Sequence, residues 1–212
     1  MAKLYFRYGA MNSGKSTALL QVAYNYEERG QRVLLAKPAV DTKGETAVLS
    51  RLGVTREVDF LITPEDDVQE LFNSYARGED PQALVTSIEG LPPVAALLVD
   101  EAQFLTSTQV DGLLRIATYS DVPVLTYGLR TDFQTQVFPG AQRLLSVAHT
   151  LEELKTICRC GRKAILNGRM VGGQFTFAGD QVSIDGDGVE YESLCAHCYL
   201  KESRGVLGEQ HV

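Results

Sequence analysis

The chain lacks several things, and each absence removes a class of function. No uninterrupted apolar run approaches the ~18–20 residues that a membrane-spanning helix needs. The opening stretch, MAKLYFRYGAMNSGK, has neither the apolar core nor the small-residue cleavage site of a secretory signal. A cytoplasmic protein with no membrane partner is therefore expected. Positive charge is scarce: 20 lysines and arginines stand against 27 aspartates and glutamates, a formal net charge of -7. Duplex binding draws on clustered Lys and Arg, so no nucleic-acid partner is expected. Cysteine is missing from the chain until Cys158, and Cys160, Cys195 and Cys198 complete the set. Close cysteine pairs in a reducing compartment point to metal before disulfide. There is no internal repeat and no low-complexity tract.

What is present reads as an ordinary globular chain, 44% hydrophobic and 22% charged over 212 residues, enough for one full domain and a small appendage. Lys3 to Tyr8 is β-prone and leads into a glycine-rich turn. Ala18, Leu19, Val22, Ala23 and Tyr26 then recur at helical spacing, with Gly30 where a terminating glycine belongs. Val33 to Ala36 follows as a buried strand, which completes a βαβ unit. Residues 38–56 are polar and glycine-containing and read as a long loop. Thr63-Pro64-Glu65-Asp66 starts a helix that runs to about Arg77. After Pro92-Pro93 come a strand from Val94 to Val99, a helix from Thr106 or Ser107 to about Ala117, and a strand from Val122 to Tyr127. Strands so uniformly apolar suit a parallel sheet covered on both faces. The expected fold class is α/β, with an α/β domain at 1–150 and a small cysteine-bearing β domain at 151–212. Residues 161–194 read as metal-stapled strands and turns, and the last dozen residues as a loose tail.

Gly9-Ala10-Met11-Asn12-Ser13-Gly14-Lys15-Ser16 fits G-x-x-x-x-G-K-[ST], with a strand before it and a helix after it. Such a loop turns successive backbone N–H groups toward one point, and the helix N-terminus adds partial positive charge. Lys15 suits the β- and γ-phosphates of a nucleoside triphosphate, and Ser16 suits Mg²⁺. The motif makes the first domain a P-loop, RecA-like parallel sheet flanked by helices. In LLVDEAQ, residues 97–103, an apolar strand ends abruptly in acid. Asp100 suits the Mg²⁺ shell, and Glu101 faces whatever attacks the γ-phosphate. The cysteine pairs offer four thiolates to a tetrahedral Zn²⁺, with His197 an alternative ligand; a site that uses every position is structural. His149 and His211 carry no partner pattern. Glu65-Asp66-Asp67 reads as a solvated helix start, and Asp185-Gly186-Asp187-Gly188 as a glycine turn.

Two function classes share these motifs. DEAQ together with a zinc ribbon would describe a nucleic-acid-coupled P-loop ATPase. Against it stand the short chain, the acidic composition and the lack of a basic-aromatic stripe. The P-loop from residue 9, DEAQFL at 100–105, GLRTDF at 128–133 and the C-terminal four-cysteine unit, in that order, resemble instead the thymidine kinase family whose P-loop domain carries a zinc-bearing lasso. The resemblance implies transfer of the γ-phosphate of ATP, with Mg²⁺, to the 5′-hydroxyl of thymidine to give dTMP, deoxyuridine being a second substrate. It implies Glu101 as catalytic base and Asp100 as its acidic neighbour. ATP would be bound by Gly9, Ala10, Met11, Asn12, Ser13, Gly14, Lys15, Ser16, Asp100, Glu101, Ala102 and Gln103. Around the nucleoside it places Met11, Asp41, Phe104, Leu129, Phe133, Val182, Ile184 and Tyr191, with a lasso from Asn167 to Glu192 closing over the base. It further implies structural Zn²⁺, a homotetramer, and inhibition by dTMP or dTTP. Arg162 and Arg130 are candidates to steady the transferring group. The chain departs from the family pattern at Lys43, where relatives often carry Arg, and by one extra residue between Ile184 and Tyr191.

Overall fold

The computed structural model describes residues 1–40, 46–81, 90–179 and 188–207. Apolar runs too short for helices and amphipathic runs long enough for them alternate along the first three quarters of the chain. They become β1 (Leu4–Tyr8), α1 (Lys15–Glu27), β2 (Arg32–Pro38), β3 (Ala47–Leu49), β4 (Thr55–Glu57), β5 (Phe60–Ile62) and α2 (Val68–Ala76). Then follow β6 (Val94–Val99), α3 (Ser107–Tyr119), β7 (Val124–Gly128), α4 (Pro139–Val147) and β8 (Thr150–Glu153). Six strands pair in parallel in the order β5-β2-β6-β7-β1-β8.

Successive residues of each strand face opposite layers. Leu34 and Ala36 of β2, with Leu97 and Val99 of β6, pack against α2, α3 and α4. Val33, Leu35, Ala96 and Leu98 point the other way, toward Leu19, Leu20 and Ala23 of α1. Each fully buried leucine or valine contributes roughly 1.5–3 kcal/mol, so the sheet is held from both sides. No helix among the described residues is long and apolar enough to cross a membrane.

Within the sheet region the elements differ from the sequence expectations in five places. Part of the loop expected at 38–56 is an antiparallel ribbon of β3 and β4, whose turn runs through Gly53 at φ 84° and is closed from Ser50 N–H to the Val54 carbonyl at 2.8 Å. The short β5 was not foreseen. The helix expected from Thr63 begins at Val68, because Asp67 accepts from the N–H groups of Gln69 and Glu70 at 2.8 and 3.1 Å and caps it there. Thr63 and Asp66 instead close a turn of their own, Thr63 N–H donating to Asp66 Oδ2 at 2.7 Å. α4, with Pro139 in its first turn, and β8, which carries the sheet through Glu153, are likewise additional to the expected elements.

Beyond the sheet lie β9 (Thr156–Ile157), β10 (Lys163–Ala164), β11 (Leu166–Val171), β12 (Gln174–Thr176), β13 (Val189–Leu194) and α5 (Ala196–Glu202). β9 and β10 form one antiparallel pair, and β12-β11-β13 form a three-stranded antiparallel sheet. Their small core comprises Cys158, Ala164, Phe177, Leu194, Cys195, Cys198 and Tyr199. The tail expected from Lys201 is ordered at its start, since α5 runs to Glu202 and Ser203 is buried.

Candidate active site

The chemistry-bearing loops all leave the C-terminal ends of adjacent strands, β6, β7 and β1, where open α/β sheets bind ligands. The P-loop leaves β1. Asn12 and Gly14 adopt left-handed backbone at φ 63° and 76°, which folds the loop back on itself before α1 begins at Lys15. Gly9 has no room for a side chain: a Cβ there would lie 2.4 Å from Ser13 Oγ and 2.6 Å from the Leu154 carbonyl. Lys15 is buried and its Nζ donates to the Ala10 carbonyl at 3.1 Å, inside the loop's own curve. The Ser16 hydroxyl donates to Asp100 Oδ2 at 2.9 Å, tying α1 to the end of β6.

Asp100 is 4% exposed, and its second oxygen, Oδ1, is buried with no hydrogen-bond partner among the described residues. Burial first, and then the neighbouring Glu101, push its pKa up to about 7, against the pull of the Ser16 hydroxyl. An orphaned carboxylate oxygen beside a hydroxyl, next to a phosphate-binding loop, is a donor set that fits Mg²⁺.

Glu101 sits at φ 46° and ψ 37°, left-handed backbone that is costly for a residue with a Cβ. The kink throws its carboxylate off the strand direction and starts a 3₁₀ turn, Ala102–Phe104. Gln103 holds the kink from beneath. Its Nε2 donates to Glu101 Oε2 at 2.7 Å, and its Oε1 accepts from Leu129 N–H at 3.0 Å. Two glycines let the backbones come together: a Cβ on Gly128 would lie 2.6 Å from Gln103 Oε1, and one on Gly140 would lie 2.5 Å from the Ala102 carbonyl.

The sulfur atoms of Cys158, Cys160, Cys195 and Cys198 all lie within 4.8 Å of one another. A tetrahedral zinc with bonds of about 2.3 Å would set them roughly 3.8 Å apart. Cys160 and Cys195 already stand at 3.5 Å. A tight turn through Gly161, at φ 83°, closes the first pair, with Cys158 N–H donating to the Arg162 carbonyl at 2.8 Å. The second pair lies at the start of α5, where Cys195 Sγ accepts from Cys198 N–H at 3.5 Å. That N–H draws the Cys195 thiol down to about 7, whereas hydrogen bonding to Cys160 and burial push Cys198 up to about 12. Four crowded thiols cannot all ionise without a cation among them, and this donor set fits Zn²⁺ with no open position. His197 is exposed and outside the group.

A family model described as thymidine kinase matches residues 2–199. The thymidine kinase of Legionella pneumophila (strain Paris) is 44% identical over 211 residues, covering 99% of this chain and 93% of that protein. Those of Ruegeria pomeroyi and Rhodopirellula baltica are 45% and 46% identical, covering 98% and 96% of this chain and 98% and 90% of theirs. The chain belongs to the thymidine kinase family.

Family membership disfavours the nucleic-acid-coupled ATPase reading of DEAQ. Ala102 and Gln103 are fully buried, and the Gln103 side chain bonds Glu101 and the Leu129 N–H. The N–H of Met11 donates to Asn167 Oδ1 at 2.7 Å. Phe104 is half-buried and meets Phe138 edge-on at 5.5 Å. Leu129 and Phe133 are buried, and the Arg169 guanidinium covers the Phe133 ring at 3.9 Å. Tyr191 lies on β13 in register with Arg169. Arg130 stands in a cleft lined by Tyr8, Gly9, Ala10 and Asn167, at the edge of the P-loop. Arg162 is in the cysteine turn. Asp41, Lys43, Val182 and Ile184 lie outside the described residues.

Proposed function

We propose that this protein transfers the γ-phosphoryl group of ATP to the 5′-hydroxyl of thymidine, giving dTMP and ADP. The observation that carries the reading is the convergence of Lys15 and Ser16, after β1, with Asp100 and Glu101, after β6, at the same edge of the sheet within a chain of this family. The P-loop N–H groups and Lys15 bind the β- and γ-phosphates. Ser16 and Asp100 hold Mg²⁺, which when bound neutralises charge on those phosphates. Glu101 accepts the proton of the 5′-hydroxyl as its oxygen forms a bond to the γ-phosphorus and the bond to the ADP oxygen breaks. Gln103 fixes the carboxylate of Glu101 for that step, so catalysis rests mainly on positioning.

Phe104, Leu129, Phe133 and Tyr191, with Asp41, Val182 and Ile184, surround the nucleoside on this reading. Deoxyuridine is a second substrate, because a 5-methyl group is worth only about 1–3 kcal/mol in an apolar pocket. The cysteines hold a structural Zn²⁺. The family resemblance supports a homotetramer inhibited by dTMP or dTTP, which sedimentation and inhibition assays test directly.

The decisive experiment follows radiolabelled γ-phosphate into each deoxynucleoside with wild type and Glu101→Gln. The variant should bind ATP normally and transfer about 10²–10⁴-fold more slowly. Transfer by wild type to no nucleoside would sink the reading, and a fully active variant would remove Glu101 from the role of base.

A further inference from the structure

We propose that Asn167 and Ser193 form a clamp on the cysteine-bearing unit that positions the P-loop to receive ATP. The inference deepens the kinase reading and rests on it, since it assumes that the P-loop is the ATP site. The two residues face each other in register across β11 and β13. Both are buried polar side chains. Both reach out of their own sheet to the same residue of the P-loop. Asn167 Oδ1 accepts from Met11 N–H at 2.7 Å, and the Ser193 hydroxyl donates to the Met11 carbonyl. One P-loop residue is thus held at its N–H and at its carbonyl.

The other end of the amide fixes the orientation. Asn167 Nδ2 donates to the Thr131 carbonyl at 3.0 Å, in the loop that follows β7. A residue that must accept on one side and donate on the other is satisfied by Asn and by few others. Thr156 adds a longer contact, its hydroxyl donating to the Asn12 carbonyl at 3.3 Å. Among the described residues, the P-loop's first turn therefore takes much of its polar support from outside the P-loop sheet.

The position of Met11 gives the clamp its consequence. Left-handed Asn12 and Gly14 follow directly, and they aim the later N–H groups of the loop. A loop whose first turn is free to rotate must be ordered by its ligand, and that ordering costs affinity. A clamped loop is ordered in advance. Ser193 lies just before Cys195, and β11 begins shortly after Cys160, so the cysteine cluster anchors both jaws. Asn167 and Ser193 touch no reacting atom on this account; they are positioning residues, read out through ATP affinity.

The test measures Mg·ATP binding by calorimetry, together with KM and kcat, in the full-length zinc-containing protein. Asn167→Ala takes the side-chain acceptor from the part-buried Met11 N–H, and ATP should bind about tenfold or more weakly. Ser193→Ala should weaken ATP binding about fivefold. For both, KM for ATP should rise more than kcat falls. Ser193→Thr, which still donates, should stay within about threefold of wild type, and Asn167→Asp, which keeps the acceptor for Met11 but loses the donor to the Thr131 carbonyl, should fall between wild type and Asn167→Ala. These conservative variants keep the test alive if an alanine variant fails to fold. Lys15→Ala serves as the reference for the underlying reading. If it binds ATP as wild type does, the P-loop is not the ATP site and the kinase reading itself fails. If Lys15→Ala loses ATP while folded, zinc-loaded Asn167→Ala and Ser193→Ala bind it normally, the clamp is overturned. It is equally overturned if Ser193→Thr falls as far as Ser193→Ala.

Discussion

The parallel sheet buries leucine, valine and isoleucine on both faces, from Leu4 and Phe6 at one strand to Leu97, Leu98 and Val124 at others. Among the described residues, the cysteine-bearing unit has a core of seven, and three of those are cysteines. A core of that size cannot offset the conformational entropy of the strands it organises. The first region is therefore stabilised by area removed from water, and the second by the cation that its thiols would gather. The same protein should respond to two different insults in two different places.

The sharpest way to break the comparison is to remove a metal ligand. Cys198→Ser should abolish zinc binding and kinase activity together, because structural zinc sites contribute on the order of 10 kcal/mol to the domains they close. Scanning calorimetry and limited proteolysis should then show a folded sheet beside a protease-sensitive C-terminal unit. A single cooperative loss of both would mean the regions are not separately stabilised. The complementary change, Leu98→Ala in β6, should cost the whole protein about 2–5 kcal/mol in denaturant melts while leaving zinc content unchanged. A variant that lost its zinc but kept its midpoint would contradict the assignment of stability to sheet burial.

The smallest effect concerns what the two regions share: each keeps groups that are ill at ease without a cation. In the sheet region that group is Asp100, held at about 7 by burial and by Glu101. A buried acid whose pKa is raised takes up a proton on folding, so stability falls as pH climbs from the range of a free aspartate toward 7. Asp100→Asn removes the dependence. The ligand-free variant should gain about 2 kcal/mol at pH 8 and nothing near pH 4, while losing its stabilisation by Mg·ATP. A melting temperature that stays below wild type at pH 8 would refute the claim of a strained carboxylate.

Much of this was legible in the sequence because the signals are local. β1, β2, β6 and β7 are apolar runs, the P-loop is one contiguous motif, and the capping of α3 by Thr106 and Gln109 lies within four residues. The cysteine pairs identified their own cluster. What escaped depends on distance along the chain. The Gln103 oxygen accepts from the Leu129 N–H, 26 residues on, a pairing that no local spacing encodes. Asn167 and Ser193 meet Met11 across 156 and 182 residues, through backbone groups that leave no trace in its identity. The strands β3, β5 and β8 are too short to establish a period, and their register comes from neighbours already in place.

The kinked backbone of Glu101 has a consequence for anyone who would improve this protein. At φ 46° glycine is at home and glutamate is not. A library screened for heat resistance alone should therefore enrich glycine at this position together with a second change that re-pairs the buried Gln103 Nε2, whose acceptor is the Glu101 carboxylate. The pair would gain about 1 kcal/mol and discard the proposed proton acceptor in the same step. Selection that watches turnover would hold glutamate there at a permanent thermal disadvantage. The two screens should diverge at this codon, and the divergence would mark where heat resistance is given up for reaction rate.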